Sequence, residues 1–271
     1  MATILEERSI TDEERAVWQR DGALCLRGAV APEWLDLLAD GIDAAMADPS
    51  DVAKSYGEGE SRFRTDHGMF LRFEQFRRFM HESPMARLAA ELMGASRINL
   101  YDEHLLVKEA GTDTPTWWHH DLPYFRIKGS QICSFWIPLD PVTEATGSLR
   151  FAAGSHAWGK LFRPVKIGQG DFVADTEQFD ETVPDIDGDP ARYPTVCFDL
   201  EPGDVAVFHG ATLHSASGNP APTARRAVSL RFCGDDITWF PGRHSPTFYD
   251  APHLVEGGPI DAEIFPRLWT R

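Results

Sequence analysis

The stretch GDVAVFHGATLHSASGN, residues 203–219, reads as a Gly-Asp turn feeding a strand from Asp204 to Phe208, stopped at Gly210, with a further short segment beginning at His214. The same texture recurs around it. Ile98–Tyr101, Glu103–Val107, Ile132–Ile137 and Ala227–Phe232 are short β-rich runs separated by turns of Gly, Pro, Asp and Asn. Several short strands so punctuated predict a sandwich or barrel.

Upstream the pattern is helical. Thr11 and Glu14 form a capping-box signature, with Val17 and Trp18 facing inward and Asp21-Gly22 as the stop. A short strand follows at Ala23–Arg27, and Pro32 opens a second helix with Trp34, Leu35, Leu38 and Ile42 at helical spacing. Residues 48–62 read as an exposed loop, and a third helix follows Pro84 and ends at Gly94. The expected organisation is one domain over residues 1–271 and a mainly β fold with flanking helices. Residues 11–95 would be helical support, 96–235 a β core holding an acidic insertion and lid at 163–195, and 236–271 a C-terminal extension.

The 271 residues, 42% hydrophobic, suffice for one large core. A net charge of −16 argues against nucleic acid or an anionic membrane as a partner, yet leaves room for a locally basic pocket. The four cysteines (Cys25, Cys133, Cys197 and Cys233) are widely spaced, which disfavours a disulfide framework or zinc knuckle. The first residues carry acids where a signal peptide needs an apolar run, and no run approaches a membrane span. A soluble, cytoplasmic protein is expected.

The chemistry lies in His119-His120-Asp121. On a strand, residues two apart share a face, so His119 and Asp121 can approach one ion while His120 points away. The third ligand falls to His209 or His214, whose five-residue offset need not place both on one face. Two imidazoles and one carboxylate leave positions open on a metal, which suits non-haem Fe(II) that must still bind a cosubstrate and O2. Arg225 adds a planar cation suited to gripping a carboxylate. A lone histidine beside an apolar strand is more often a hydrogen-bonded core residue, and it is the ordered set that favours iron.

At this point the chain resembles a family. WHHDLPYF (118–125), WIPLD (136–140), TGSLRFAAGSH (146–156), GDVAVFH (203–209), and LHSASGN with RRAVSLRF (213–232) are similar to the phytanoyl-CoA dioxygenase family of Fe(II)/2-oxoglutarate oxygenases. So is the opening segment TDEERAVWQRDGALCLRGAV (11–30). The resemblance implies a double-stranded β-helix (jelly-roll) core. It carries over His119, Asp121 and His214 as iron ligands, Arg225 as the anchor of the distal carboxylate of 2-oxoglutarate, and Trp136 as the aromatic residue against that cosubstrate. It leaves His156 in a structural turn. Where relatives often hold a hydroxyl two residues past the distal histidine, this chain has Ala216, with Ser215 or Ser217 as substitutes.

The implied reaction consumes O2 and 2-oxoglutarate, releases succinate and CO2, and hydroxylates an unactivated C–H. Asp121 favours hydroxylation over halogenation, for which a small residue there would open a halide site. Candidates to line the substrate mouth are Trp117, Tyr124, Phe125, Arg126, Lys128, Trp158, Trp239, Arg243 and His244, with Phe70 and Arg72 from upstream. The acidic balance disfavours a CoA thioester, so a small or medium metabolite is expected. The competing readings are a catalytically silent ligand-binding jelly roll and a cupin-like metalloprotein that needs no cosubstrate. The intact ligand set together with Arg225 argues against the first, and the second has no need for Arg225.

Overall fold

The computed structural model describes residues 8–57, 59, 61–166, 178–243 and 251–271. Helix α1 (Asp12–Asp21) begins on the expected box: the Glu14 N–H donates to Thr11 Oγ1 at 3.2 Å, and the Thr11 N–H donates to Glu14 Oε2 at 2.9 Å. It ends at Gly22 (φ 70°), where an added Cβ would strike the His156 ring and Thr212. Strand β1 (Ala23–Leu26) leads to α2 (Pro32–Ala47). The expected loop at 48–62 contains β2 (Lys54–Tyr56), which pairs with β3 (Phe63–His67). Two helices absent from the sequence reading follow, α3 (Met69–Arg72) and α4 (Glu74–Glu82), before α5 (Met85–Met93). In α4, Phe76, Phe79 and Met80 fall at helical spacing and are all buried.

The two runs expected at 98–107 form one strand, β4 (Arg97–Lys108). A bulge, where Arg231 pairs with Asp102 and Phe232 with Leu100, leaves Tyr101 as the extra residue. Then come β5 (Thr116–His119), β6 (Ile127–Lys128), β7 (Ile132–Pro138), β8 (Arg150–Ala152), β9 (Thr195–Cys197), β10 (Val205–His209), β11 (His214–Ala216), β12 (Arg225–Cys233), β13 (Thr238–Trp239) and β14 (Arg267–Thr270).

The large sheet runs β1-β10-β7-β12-β4-β3-β2, with β14 also on β4. The smaller sheet runs β5-β11-β8-β9, and β13 pairs with β6. All of these strand pairings are antiparallel, and the result is the jelly-roll core flanked by helices. The C-terminal residues therefore do more than extend the chain, since β14 completes the large sheet.

Alternation along the strands decides what each face carries. Val228, Leu230 and Phe232 of β12 pack with Leu38, Phe76, Phe79 and Leu88 on the helical side. Trp136, Phe151, Phe208 and Ala227 fill the space between the sheets. Residues 163–166 and 178–194, between β8 and β9, form no helix or named strand; the rest of the expected insertion lies outside the described residues. Among the described residues, no helix is long and apolar enough to cross a membrane.

Candidate active site

His119 closes β5 and His214 opens β11, and the two are direct partners across the small sheet, their rings 4.2 Å apart. Asp121 reaches them by a different route from the strand alternation predicted. The strand ends at His119, and Asp121 has helical backbone (φ −72°, ψ −34°) at the head of a tight turn, Leu122–Tyr124. One oxygen, Oδ1, lies 3.8 Å from Nε2 of each histidine, and one donor atom from each of the three residues falls within 4.8 Å of the others. His120 points away, accepting from the Phe162 N–H at 3.0 Å.

The surroundings fix how these groups present themselves. The Nδ1–H of His119 donates to the Trp117 carbonyl at 2.7 Å, and that of His214 donates to the Thr212 carbonyl at 3.0 Å, so each Nε2 lone pair is left for a metal. Burial lowers the His119 pKa and pushes that of His214 down to about 3, which keeps both rings neutral. Burial alone would raise the Asp121 pKa, but Arg231, His214, His119 and the Ser134 hydroxyl together hold it well below the usual carboxylate range. Ser134 Oγ donates to Oδ2 at 2.9 Å and Arg231 Nε to the same oxygen at 3.3 Å. Two neutral imidazoles and an ionised carboxylate on one side of a buried point fit Fe(II). His209, the other candidate ligand, has both ring nitrogens engaged, with the Ser130 carbonyl at 2.8 Å and the Ala211 N–H at 3.0 Å.

A cavity of about 300 Å³ opens beside the triad, with Arg225 and Trp136 in its wall. Arg225 is 4% exposed; its Nη1 donates to the Leu106 carbonyl at 3.2 Å, while its buried Nε has no partner. The guanidinium lies 5.3 Å from the centre of the Trp136 ring. Burial pulls its pKa down to about 10, against a smaller upward pull from Asp140. Lys108, its partner across β4 and β12, is fully buried and donates to the Ser217 carbonyl. Arg226 faces the other way and pairs with Asp140, Nη2 to Oδ1 at 2.8 Å. Ala216 lines the cavity, and Ser217 Oγ instead donates to the Glu144 carbonyl at 2.8 Å.

Of the mouth candidates, Tyr124 and Phe125 line the cavity. Trp117 is half-exposed and turned outward. β11 meets β5 through a bulge, His214 opposite His119 but Ala216 opposite Thr116, so Thr116 and His119 both face in at odd spacing. Arg126, Lys128, Trp158, Trp239 and Arg243 also lie off the cavity wall. The Arg126 N–H donates to Tyr101 Oη at 2.9 Å, and Lys128 sits over the Phe240 ring at 3.6 Å. Trp158 packs on Phe162 and Tyr193, Trp239 packs on Phe265, and Arg243 donates to the Ile127 carbonyl at 3.0 Å. Phe70 belongs to the helical-side core and Arg72 pairs with Asp48. His244 lies outside the described residues.

The sequence reading overlooked Asp102, His104, Ser134, Ser229 and Arg231, all close to the metal point or in the cavity wall. The signal was there: Arg225, Ser229 and Arg231 are polar residues at even spacing on a strand whose odd neighbours are apolar or face outward.

A family model described as phytanoyl-CoA dioxygenase (PhyH) matches residues 18–227. Among curated proteins, the multifunctional dioxygenase prhA of Penicillium brasilianum is 23% identical over 233 residues, covering 81% of this chain and 71% of that protein. Among solved structures, the non-haem α-ketoglutarate-dependent carbocyclase SnoK from nogalamycin biosynthesis superposes with a TM-score of 0.75 at 20% identity, covering 96% of this chain and 97% of that one. EctD from S. alaskensis, solved with 2-oxoglutarate and 5-hydroxyectoine, gives 0.69 at 18% identity, covering 95% and 88%. The matched span includes all three metal ligands and Arg225, and the chain belongs to the phytanoyl-CoA dioxygenase (PhyH) family, with the metal centre of an Fe(II)/2-oxoglutarate-dependent oxygenase.

Proposed function

We propose that the protein hydroxylates an unactivated C–H bond of a small or medium metabolite, converting O2 and 2-oxoglutarate to succinate and CO2. The observation that carries this reading is the buried Arg225, whose Nε has no partner, in the wall of the same cavity that holds the triad. A buried cation with an unused donor is costly unless an anion completes it. A dicarboxylate chelating iron at one end would present its other carboxylate to this fork in a charge-assisted contact.

Bound Fe(II) supplies the oxidising chemistry. The chain's own residues do the rest. His119, Asp121 and His214 would hold the ion, and Arg225, with Lys108 across the strand pair and the Trp136 ring beside its guanidinium, would orient the cosubstrate. The apolar wall, including Leu106, Leu149 and Phe208, excludes water. Hydroxylation is preferred because Asp121 occupies the position that halogenation would need vacant. A cavity of about 300 Å³ and a net charge of −16 favour a metabolite over a CoA thioester. Four free thiols support a reducing, cytoplasmic setting.

The test is an anaerobic titration of the Fe(II)-loaded protein with 2-oxoglutarate, following the visible charge-transfer band of the chelate. A saturable band is expected. In Arg225→Ala the dissociation constant should rise about 10- to 100-fold, the loss of one charge-assisted contact, with iron still bound. An unchanged constant would remove Arg225 from the role and the reading with it. Succinate release across a metabolite panel, with product analysis, then identifies the substrate and the oxidised carbon.

A further inference from the structure

Arg231 joins the metal triad to the far wall of the cavity. Its Nε donates to Asp121 Oδ2 at 3.3 Å, Nη1 to Asp102 Oδ2 at 2.8 Å and Nη2 to His104 Nδ1 at 3.4 Å. Asp102 accepts in turn from His67 Nδ1 at 3.0 Å. Arg231 and Asp102 are cross-strand partners at the last step before the β4 bulge, so the fork is held by backbone register as well as by its own contacts. Arg231, Asp102 and Asp121 are all buried.

The two oxygens of Asp121 are thereby divided. Oδ1 faces both Nε2 atoms at 3.8 Å, and Oδ2 is occupied by Arg231 and by Ser134 at 2.9 Å. A carboxylate left to itself can bind a metal through both oxygens. The count of open positions makes this matter: three protein donors leave two positions for a chelating keto acid and one for O2. A second oxygen from Asp121 would consume the last of them.

We infer that Arg231 is a positioning residue that holds Asp121 to a single donor oxygen and so reserves the O2 position. The inference rests on the iron and 2-oxoglutarate reading above. Arg231 touches neither the metal nor the gas, and acts through the orientation of Asp121.

Nitric oxide, an O2 analogue, tests this by electron paramagnetic resonance on anaerobic protein loaded with Fe(II) and 2-oxoglutarate. The variants are Arg231→Met, Arg231→Lys and Ser134→Ala. Arg231→Met leaves Asp102 without its cation and could fail to fold, so Arg231→Met combined with Asp102→Asn carries the same test with the charges balanced. Wild type should show both the 2-oxoglutarate band and the nitrosyl signal. Arg231→Met, alone and in the double variant, should keep the band but bind nitric oxide at least about ten-fold more weakly. Ser134→Ala should shift in the same direction by less, and Arg231→Lys should restore most of the signal. Nitric oxide binding equal to wild type in the Arg231→Met variants overturns the inference while the iron and 2-oxoglutarate reading stands. No band in wild type overturns that reading, and this inference with it.

Discussion

Lys108 is a fully buried lysine next to a buried arginine. Burial and the neighbouring guanidinium pull its amine down to about 6 from an ordinary 10.5. Between those values the unfolded chain holds a proton that the folded, cosubstrate-free chain lacks. Stability at this site therefore rises with pH from about 6 to 10.5, and the full cost is felt below 6. Urea midpoints of the apoprotein at about pH 7 and 9 should show this rise, and Lys108→Met should flatten it; a slope indifferent to the substitution would refute the assignment. Such groups were hard to read from sequence. Lys108 is an ordinary strand-end lysine until its partner is known, and Arg231 meets Asp102 only because strands far apart in the chain lie side by side. The His119, Asp121 and His214 set was legible because its residue types and order are specific. The strand geometry offered to explain it was not, since the chain turns after His119.

Strand β12 shows what alternation can tell at the level of an element. Its even-spaced partners Arg225, Ser229 and Arg231 reach the cavity, while Val228, Leu230 and Phe232 reach the helices. That pattern was readable. Two bulges defeat it elsewhere, one putting Trp117 outside and one bringing Tyr101 into the cavity wall beside Asp102, because each adds a residue that no period of two anticipates. Helix α4 was readable on the same principle and was passed over: Phe76, Phe79 and Met80 stand at helical spacing on the buried face, with Arg77 and Arg78 exposed on the other. Phe76 is wholly buried against α2, and Phe76→Ala should cost about 3–5 kcal/mol in denaturant unfolding. Fe(II) affinity of the folded fraction should hold, since α4 lies on the opposite face of the large sheet from the triad. A loss of affinity at constant stability would show that the helices shape the metal centre.

At the scale of the molecule, a charge of −16 surrounds a cavity whose buried end is cationic. If Arg225 receives the cosubstrate as proposed, that dianion would cross a repulsive outer field on its way in. Its association rate, measured by stopped flow, should rise as salt increases from about 10 to 150 mM, because screening acts on the long-range field more than on buried contacts. A rate that falls with salt would mean that the mouth itself is steering and that its local charge is positive.

The last strand has a practical consequence for handling the protein. β14 lies along the Arg97–Asn99 end of β4, and Asp261, just before it, accepts from Asn99 Nδ2 at 2.7 Å. Removing residues 267–271 would strip that flank and leave a row of unsatisfied amides and carbonyls open to another molecule. The shortened chain should self-associate in sedimentation experiments, at a rate that grows with concentration. A purification tag fused directly behind β14 would load this same seam.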